Sequence, residues 1–125
     1  MASETDILLI EDEPNIAEAV RFILSRDGWR LAHWPEGSAA LDRIAALRPR
    51  LVILDVMLPA RSGLEVLASL RADPNLAATP VLVLTARGGG GRNGVSVEGA
   101  DRFLAKPFDN DALRDMVREI LGAPQ

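Results

Sequence analysis

Residues 51–55 read Leu-Val-Ile-Leu-Asp. Four consecutive apolar residues leave no polar face, so a strand here is covered on both sides, as strands of a parallel sheet are. The run stops on a carboxylate. The pattern recurs on either side. Ile7-Leu8-Leu9-Ile10 runs into Glu11-Asp12, Val81-Leu82-Val83-Leu84 into Thr85, and a weaker run, Phe103-Leu104-Ala105, into Lys106-Pro107. In an open parallel sheet, ligands bind outside the carboxyl ends of the strands. Carboxylates, a hydroxyl and an ammonium from distant parts of the chain therefore converge on one edge.

Helical patterns fill the gaps. Residues 15–27 carry Ile16, Ala19, Val20, Ile23 and Leu24 at helical spacing, with Pro14 near the start and Gly28 just past the end. Residues 29–33 alternate weakly and read as a second strand. Ser38 is a candidate N-cap for a helix with Leu41, Ile44, Ala45 and Leu47 inward, closing before Pro49. Residues 63–72 present Leu64, Val66, Leu67 and Leu70 before Asp73-Pro74. Asp109 is placed to cap a last helix with Leu113, Met116, Val117, Ile120 and Leu121, ending at Gly122. Strand and helix thus alternate about five times, which predicts a doubly wound α/β fold: a parallel sheet with helices on both faces. Residues 87–99, RGGGGRNGVSVEG, break the pattern. Consecutive glycines cost about 1 kcal/mol each in a helix relative to alanine. A short, late or missing fourth helix is expected, with a mobile loop over 88–94.

The chain has 125 residues and 13.5 kDa, which fits one domain over 1–125. Cysteine is absent, so disulfides and thiolate metal sites are excluded, and a reducing cytoplasm suits the composition. A net charge of −4 argues against broad nucleic-acid binding, which draws on Lys and Arg against phosphates. The polar, acidic N-terminus is no signal peptide, and no apolar stretch approaches the roughly 20 residues of a membrane span.

Glu11, Asp12 and Asp55 belong at adjacent strand ends. Two carboxylates about 5 Å apart repel by about 3 kcal/mol at an effective dielectric near 20. Mg²⁺, a hard cation that takes one or two carboxylates with water and phosphate oxygens, is the natural counter-charge, and Lys106 supplies a second. One carboxylate oxygen is left to act as a nucleophile on a phosphoryl group. Asp55, on the central strand, fits that role. Glu11 and Asp12 suit the metal, and Thr85 and Lys106 suit the oxygens of the transferred group.

IEDEP after the first strand, LDVMLPARSGLEVL around Asp55, VLVLTA ending in Thr85 and ADRFLAKPF together resemble a response-regulator receiver domain over nearly the whole chain. The resemblance implies the flavodoxin-like three-layer α/β/α fold, a doubly wound five-stranded parallel sheet of order 2-1-3-4-5. It implies that Asp55 is the phosphoacceptor, that Asp12 and Asp55 bind Mg²⁺ with the Met57 backbone carbonyl, and that Glu11 acts beside them, often through water. Thr85 and Lys106 match the phosphate-sensing pair, and Phe103 the aromatic switch that turns inward as Thr85 moves. Pro59 and Gly63 match the loop and helix start after the acceptor. The Lys106-Pro107 bond matches one that is usually cis, and Met57 and Arg87 flank the expected path of hydrolytic water.

The implied partners are a histidine kinase or histidine phosphotransfer protein and an unidentified downstream target or effector domain, in a cytoplasmic phosphorelay. The chain would be a switch and no turnover enzyme. It ends soon after the last helix, which fits a stand-alone regulator or a part of a longer one. A homodimer is possible, but Arg102 stands where such dimers commonly have an acid, and Met116 where they have Arg. The stretch between Thr85 and Lys106 is slightly short for the family.

Other readings stand beside these. A receiver that only docks partners, without phosphorylation, would share the fold. Aspartyl-phosphate phosphatases resemble the chain at Asp55 but place a second Asp two residues on, where Met57 stands. A flavodoxin-like electron carrier needs a glycine- and hydroxyl-rich phosphate loop where Glu11-Asp12 stand. Singly, Glu11 and Asp12 also read as solvated acids at a helix start. Phe103 also reads as packing and Phe108 as core. Trp29 and Trp34 read as packing at the sheet edge. His33 reads as a lone surface or edge histidine away from the site.

Overall fold

The computed structural model describes residues 5–58, 62–85, 99–106 and 108–122. The elements in order are β1 (Ile7–Ile10), α1 (Pro14–Arg26), β2 (Leu31–Trp34), α2 (Ala40–Leu47), β3 (Leu51–Asp55), α3 (Gly63–Ala72), β4 (Val81–Thr85), β5 (Arg102–Ala105) and α4 (Asn110–Leu121). The strands form one parallel sheet in the order β2-β1-β3-β4-β5. The expected loop at 88–94, and with it the fourth-helix expectation, lies outside the described residues, as do Pro59, Arg87 and Pro107.

Alternation along each strand builds two cores. Ile7, Leu9, Leu51, Ile53, Leu82 and Leu84 face one side and pack with Ala17, Val20, Ile23 and Leu24 of α1 and Leu113 and Val117 of α4. Leu8, Ile10, Val52, Leu54, Val81 and Val83 face the other side and meet Ala40 and Ile44 of α2 and Val66, Leu67 and Leu70 of α3. The three central strands are buried at every position, which is why their runs are uniformly apolar. Full burial of one such side chain is worth about 1.5–3 kcal/mol. The edge strand β5 is mostly exposed, so its run was the weakest.

Several local expectations differ from the structure. The inner stripe of α1 uses Ala17, and Ala19 is exposed. Strand β2 begins at Leu31, two residues later than its weak alternation suggested, and Trp29 is buried in the first core. Ser38 does not cap α2. The N-cap position is Ala39 in a left-handed conformation (φ 60°), and the Ser38 carbonyl accepts a hydrogen bond from Trp34 Nε1 at 2.8 Å. Ala45 and Leu64 are exposed because Ile44 and Val66 take the inward positions of their turns. Asp109 holds the N-cap position of α4 without a side-chain hydrogen bond.

Helix α3 is built to start at one place. Ser62 accepts from the Leu64 N–H at 3.1 Å, and Glu65 reaches back to the Ser62 N–H at 3.3 Å, a complete capping box. Gly63 then lies against the end of β3. A Cβ there would sit 2.0 Å from the Asp55 carbonyl oxygen and 2.8 Å from Val56 Cα, so only glycine fits.

Candidate functional site

The carboxyl ends of β1, β3 and β5 bring one acid–base cluster together. Glu11 follows β1 and Asp55 ends β3; both are buried, at 0% and 2% exposure. Lys106 follows β5, and its N–H donates to the Thr85 carbonyl at 2.8 Å, extending the ladder that carries it to the site. Its Nζ lies 3.1 Å from Glu11 Oε1 and 3.1 Å from Asp55 Oδ1. Glu11 Oε2 accepts from the Glu13 N–H at 3.1 Å, and Asp55 Oδ1 from the Met57 N–H at 3.1 Å.

Asp12 completes the acidic set from the solvent side. Oxygen atoms of Glu11, Asp12 and Asp55 lie within 4.8 Å of one another. Glu11 and Asp12 are therefore unequal: one points into the protein and one out of it. Thr85 ends β4 with its side chain buried, and its Oγ1 has no hydrogen-bond partner among the described residues. Phe103 lies opposite Val83 on β5 and is 41% exposed. Met57 is 70% exposed beside Asp55, and it meets Asp55 through its N–H.

The electrostatics are those of a crowded anionic pocket. Burial first, and then the neighbouring Asp55 carboxylate, push the Glu11 carboxyl up to about 7. Burial works against charge on Lys106, but Glu11 and Asp55 outweigh it and hold the ammonium above its ordinary value. One fixed cation thus faces three carboxylates. Glu11 Oε1 meets Lys106 as a charge contact only and has no directed hydrogen bond. Hard oxygen donors, surplus negative charge and the unpartnered buried Thr85 hydroxyl fit a small divalent cation with its water and an anionic ligand.

Sequence reading missed one neighbour of this cluster. His33, read as away from the site, places Nε2 2.7 Å from the Glu11 carbonyl oxygen. The signal was indirect: parallel pairing of β2 with β1 sets His33 opposite Leu9, two residues before Glu11.

Known proteins place the fold. The chain matches the family of response regulator receiver domains over residues 7–118, and it belongs to that family. It is 38% identical over 127 residues to the response regulator Rre1 of Synechocystis, covering 100% of this chain and 55% of that protein. The chain spans about half the length of the curated relatives it matches. Among solved structures it resembles the receiver domain of the sensor histidine kinase PA1611 from Pseudomonas aeruginosa, described with a magnesium ion in its active-site cleft (TM-score 0.85, 28% identity, 95% of this chain and 98% of that one). It also resembles the response regulator TrrA of Thermotoga maritima, described in complex with Mg²⁺ and beryllofluoride (TM-score 0.80, 31% identity, 94% and 99%). Receiver domains are signalling switches and bind Mg²⁺ in the acidic pocket. No described helix is long and apolar enough to cross a membrane.

Proposed function

We propose that this chain is a single receiver module over residues 1–125 that takes a phosphoryl group onto Asp55 from the phosphohistidine of a histidine kinase or histidine phosphotransfer protein. The observation that carries the reading is the Lys106 ammonium, 3.1 Å from both Glu11 and Asp55 at the carboxyl edge of the sheet, with Asp12 in reach of the same point. An Asp55 oxygen attacks phosphorus, the donor P–N bond breaks, and the freed imidazole nitrogen keeps the electron pair and takes a proton. Asp12, Asp55 and the Met57 backbone carbonyl would hold Mg²⁺, with Glu11 acting beside them. Bound there, the ion supplies charge for the phosphoryl oxygens.

Lys106 is placed to pair with a second phosphoryl oxygen, and the unpartnered Thr85 hydroxyl to donate to a third. Movement of Thr85 toward the group opens space that the half-exposed Phe103 ring fills, which changes the surface around β5. Met57 borders the site and would affect how quickly water removes the group. The output goes to a downstream target or to an effector domain in a longer regulator. The setting is the cytoplasm, and the chain turns over no external substrate. Titration with beryllofluoride and Mg²⁺ should shift the amide resonances of Asp55, Thr85 and Phe103. Unmoved resonances would favour a receiver that only docks partners.

A further inference from the structure

His33, the chain's one histidine, sits beside the acidic cluster without belonging to it. Strand β2 pairs with β1 in parallel register, His33 opposite Leu9 and Trp34 opposite Ile10. The ladder continues one step past β1, where the Glu11 N–H donates to the Trp34 carbonyl at 3.1 Å. In a parallel ladder the Glu11 carbonyl would next accept from the N–H two residues beyond Trp34. Strand β2 has ended by then, with Pro35 following Trp34. The imidazole takes that place, with Nε2 2.7 Å from the Glu11 carbonyl oxygen. A carbonyl only accepts, so Nε2 carries the hydrogen and donates it.

That bond fixes the peptide plane between Glu11 and Asp12. Because the plane is rigid, its orientation sets ψ of Glu11 and φ of Asp12. The side chains on its two sides are held very differently. Glu11 is locked by Lys106 and the Glu13 N–H. Asp12 is exposed, and no hydrogen bond or ion pair among the described residues holds its carboxylate. Its aim depends on the backbone beneath it.

We infer that His33 is a positioning residue for the magnesium site: through the Glu11–Asp12 peptide it aims the Asp12 carboxylate at the point where Glu11 and Asp55 converge. The inference rests on the reading of the cluster as a magnesium site. Nε2 itself carries the hydrogen, so the nitrogen that meets Glu11 has no lone pair for a metal.

The test is a titration with MgCl₂ alone, followed through the Asp12 and Asp55 amide resonances, in the wild type and in His33→Ala, His33→Asn and His33→Gln. Glutamine carries its amide nitrogen as many bonds from Cα as Nε2 is; asparagine is one bond short. The expected result is an affinity loss of about tenfold in His33→Ala and His33→Asn, with recovery in His33→Gln. Equal affinity in wild type and His33→Ala overturns the inference and leaves the magnesium reading standing. A loss that glutamine does not restore assigns His33 a packing role and also overturns it. A wild type that does not respond to MgCl₂ overturns the reading and the inference together. The single imidazole gives a second readout, independent of metal: its neutral form should show the nitrogen resonances of the Nε2–H tautomer, and the Nδ1–H tautomer would contradict the hydrogen bond.

Discussion

Glu11 carries most of the cost of the site. Its carboxyl is fully buried next to Asp55, and without a metal it is pushed up to about 7 from an ordinary value near 4.5. An acid raised in the folded state binds its proton more tightly there than in the unfolded chain. Metal-free stability should therefore be full below about pH 4.5 as far as Glu11 is concerned, and should fall as pH rises through about 7. The loss is about 3 kcal/mol, complete once both states have ionised. Asp55→Asn should flatten that slope and raise the unfolding midpoint at pH 8, because it removes the neighbouring charge. Urea melts at pH 5.5 and 8 check both; an unchanged slope in the variant would show that burial alone raises Glu11 and that Asp55 adds nothing. At this scale the residue types were legible and their inequality was not. Glu11 and Asp12 read as a pair in sequence, while the end of β1 turns one inward and the other outward. The His33 contact was hidden for the same reason, since it depends on strand register.

Helix α3 and the end of β3 form one unit, and substitutions in it should separate cap from contact. Ser62→Ala removes the acceptor for the Leu64 N–H and should cost about 1 kcal/mol with the site unharmed. Gly63→Ala forces a Cβ into the Asp55 backbone and should cost several times more, about 3 kcal/mol or above, while weakening Mg²⁺ binding. Thermal melts and MgCl₂ titrations of the two variants would measure the contrast; equal effects would contradict it. The central elements were readable because burial on both faces forces an uninterrupted apolar run, and because α1 and α4 keep clear inner stripes. The starts of β2 and α2 were not. One is an edge strand with mixed exposure. The other begins at a left-handed alanine that no capping rule anticipates.

The whole molecule holds its site at one end of the sheet and an anchoring network at the other. Just before β1, Asp6 accepts from the Arg30 N–H at 2.9 Å and pairs with the guanidiniums of Arg30 and Arg50. Burial raises its carboxyl, but the hydrogen bonds from Arg30 outweigh this and leave it below the usual value. A carboxylate depressed in the folded state stabilises above the unfolded value near 3.8, and the benefit is lost as pH falls through the folded value. Asp6→Asn should cost about 1–3 kcal/mol at pH 7 and blunt acid unfolding below pH 4; an unaltered acid limb would show the pairing contributes nothing.

Between those two ends, the proposed function turns on Asp55 taking a phosphoryl group. Intact-mass measurement after incubation with acetyl phosphate and MgCl₂ tests it most directly. The wild type should gain about 80 Da, one phosphoryl group, and Asp55→Asn should gain nothing. A wild type of unchanged mass, or a variant that gains the same increment, would contradict the account.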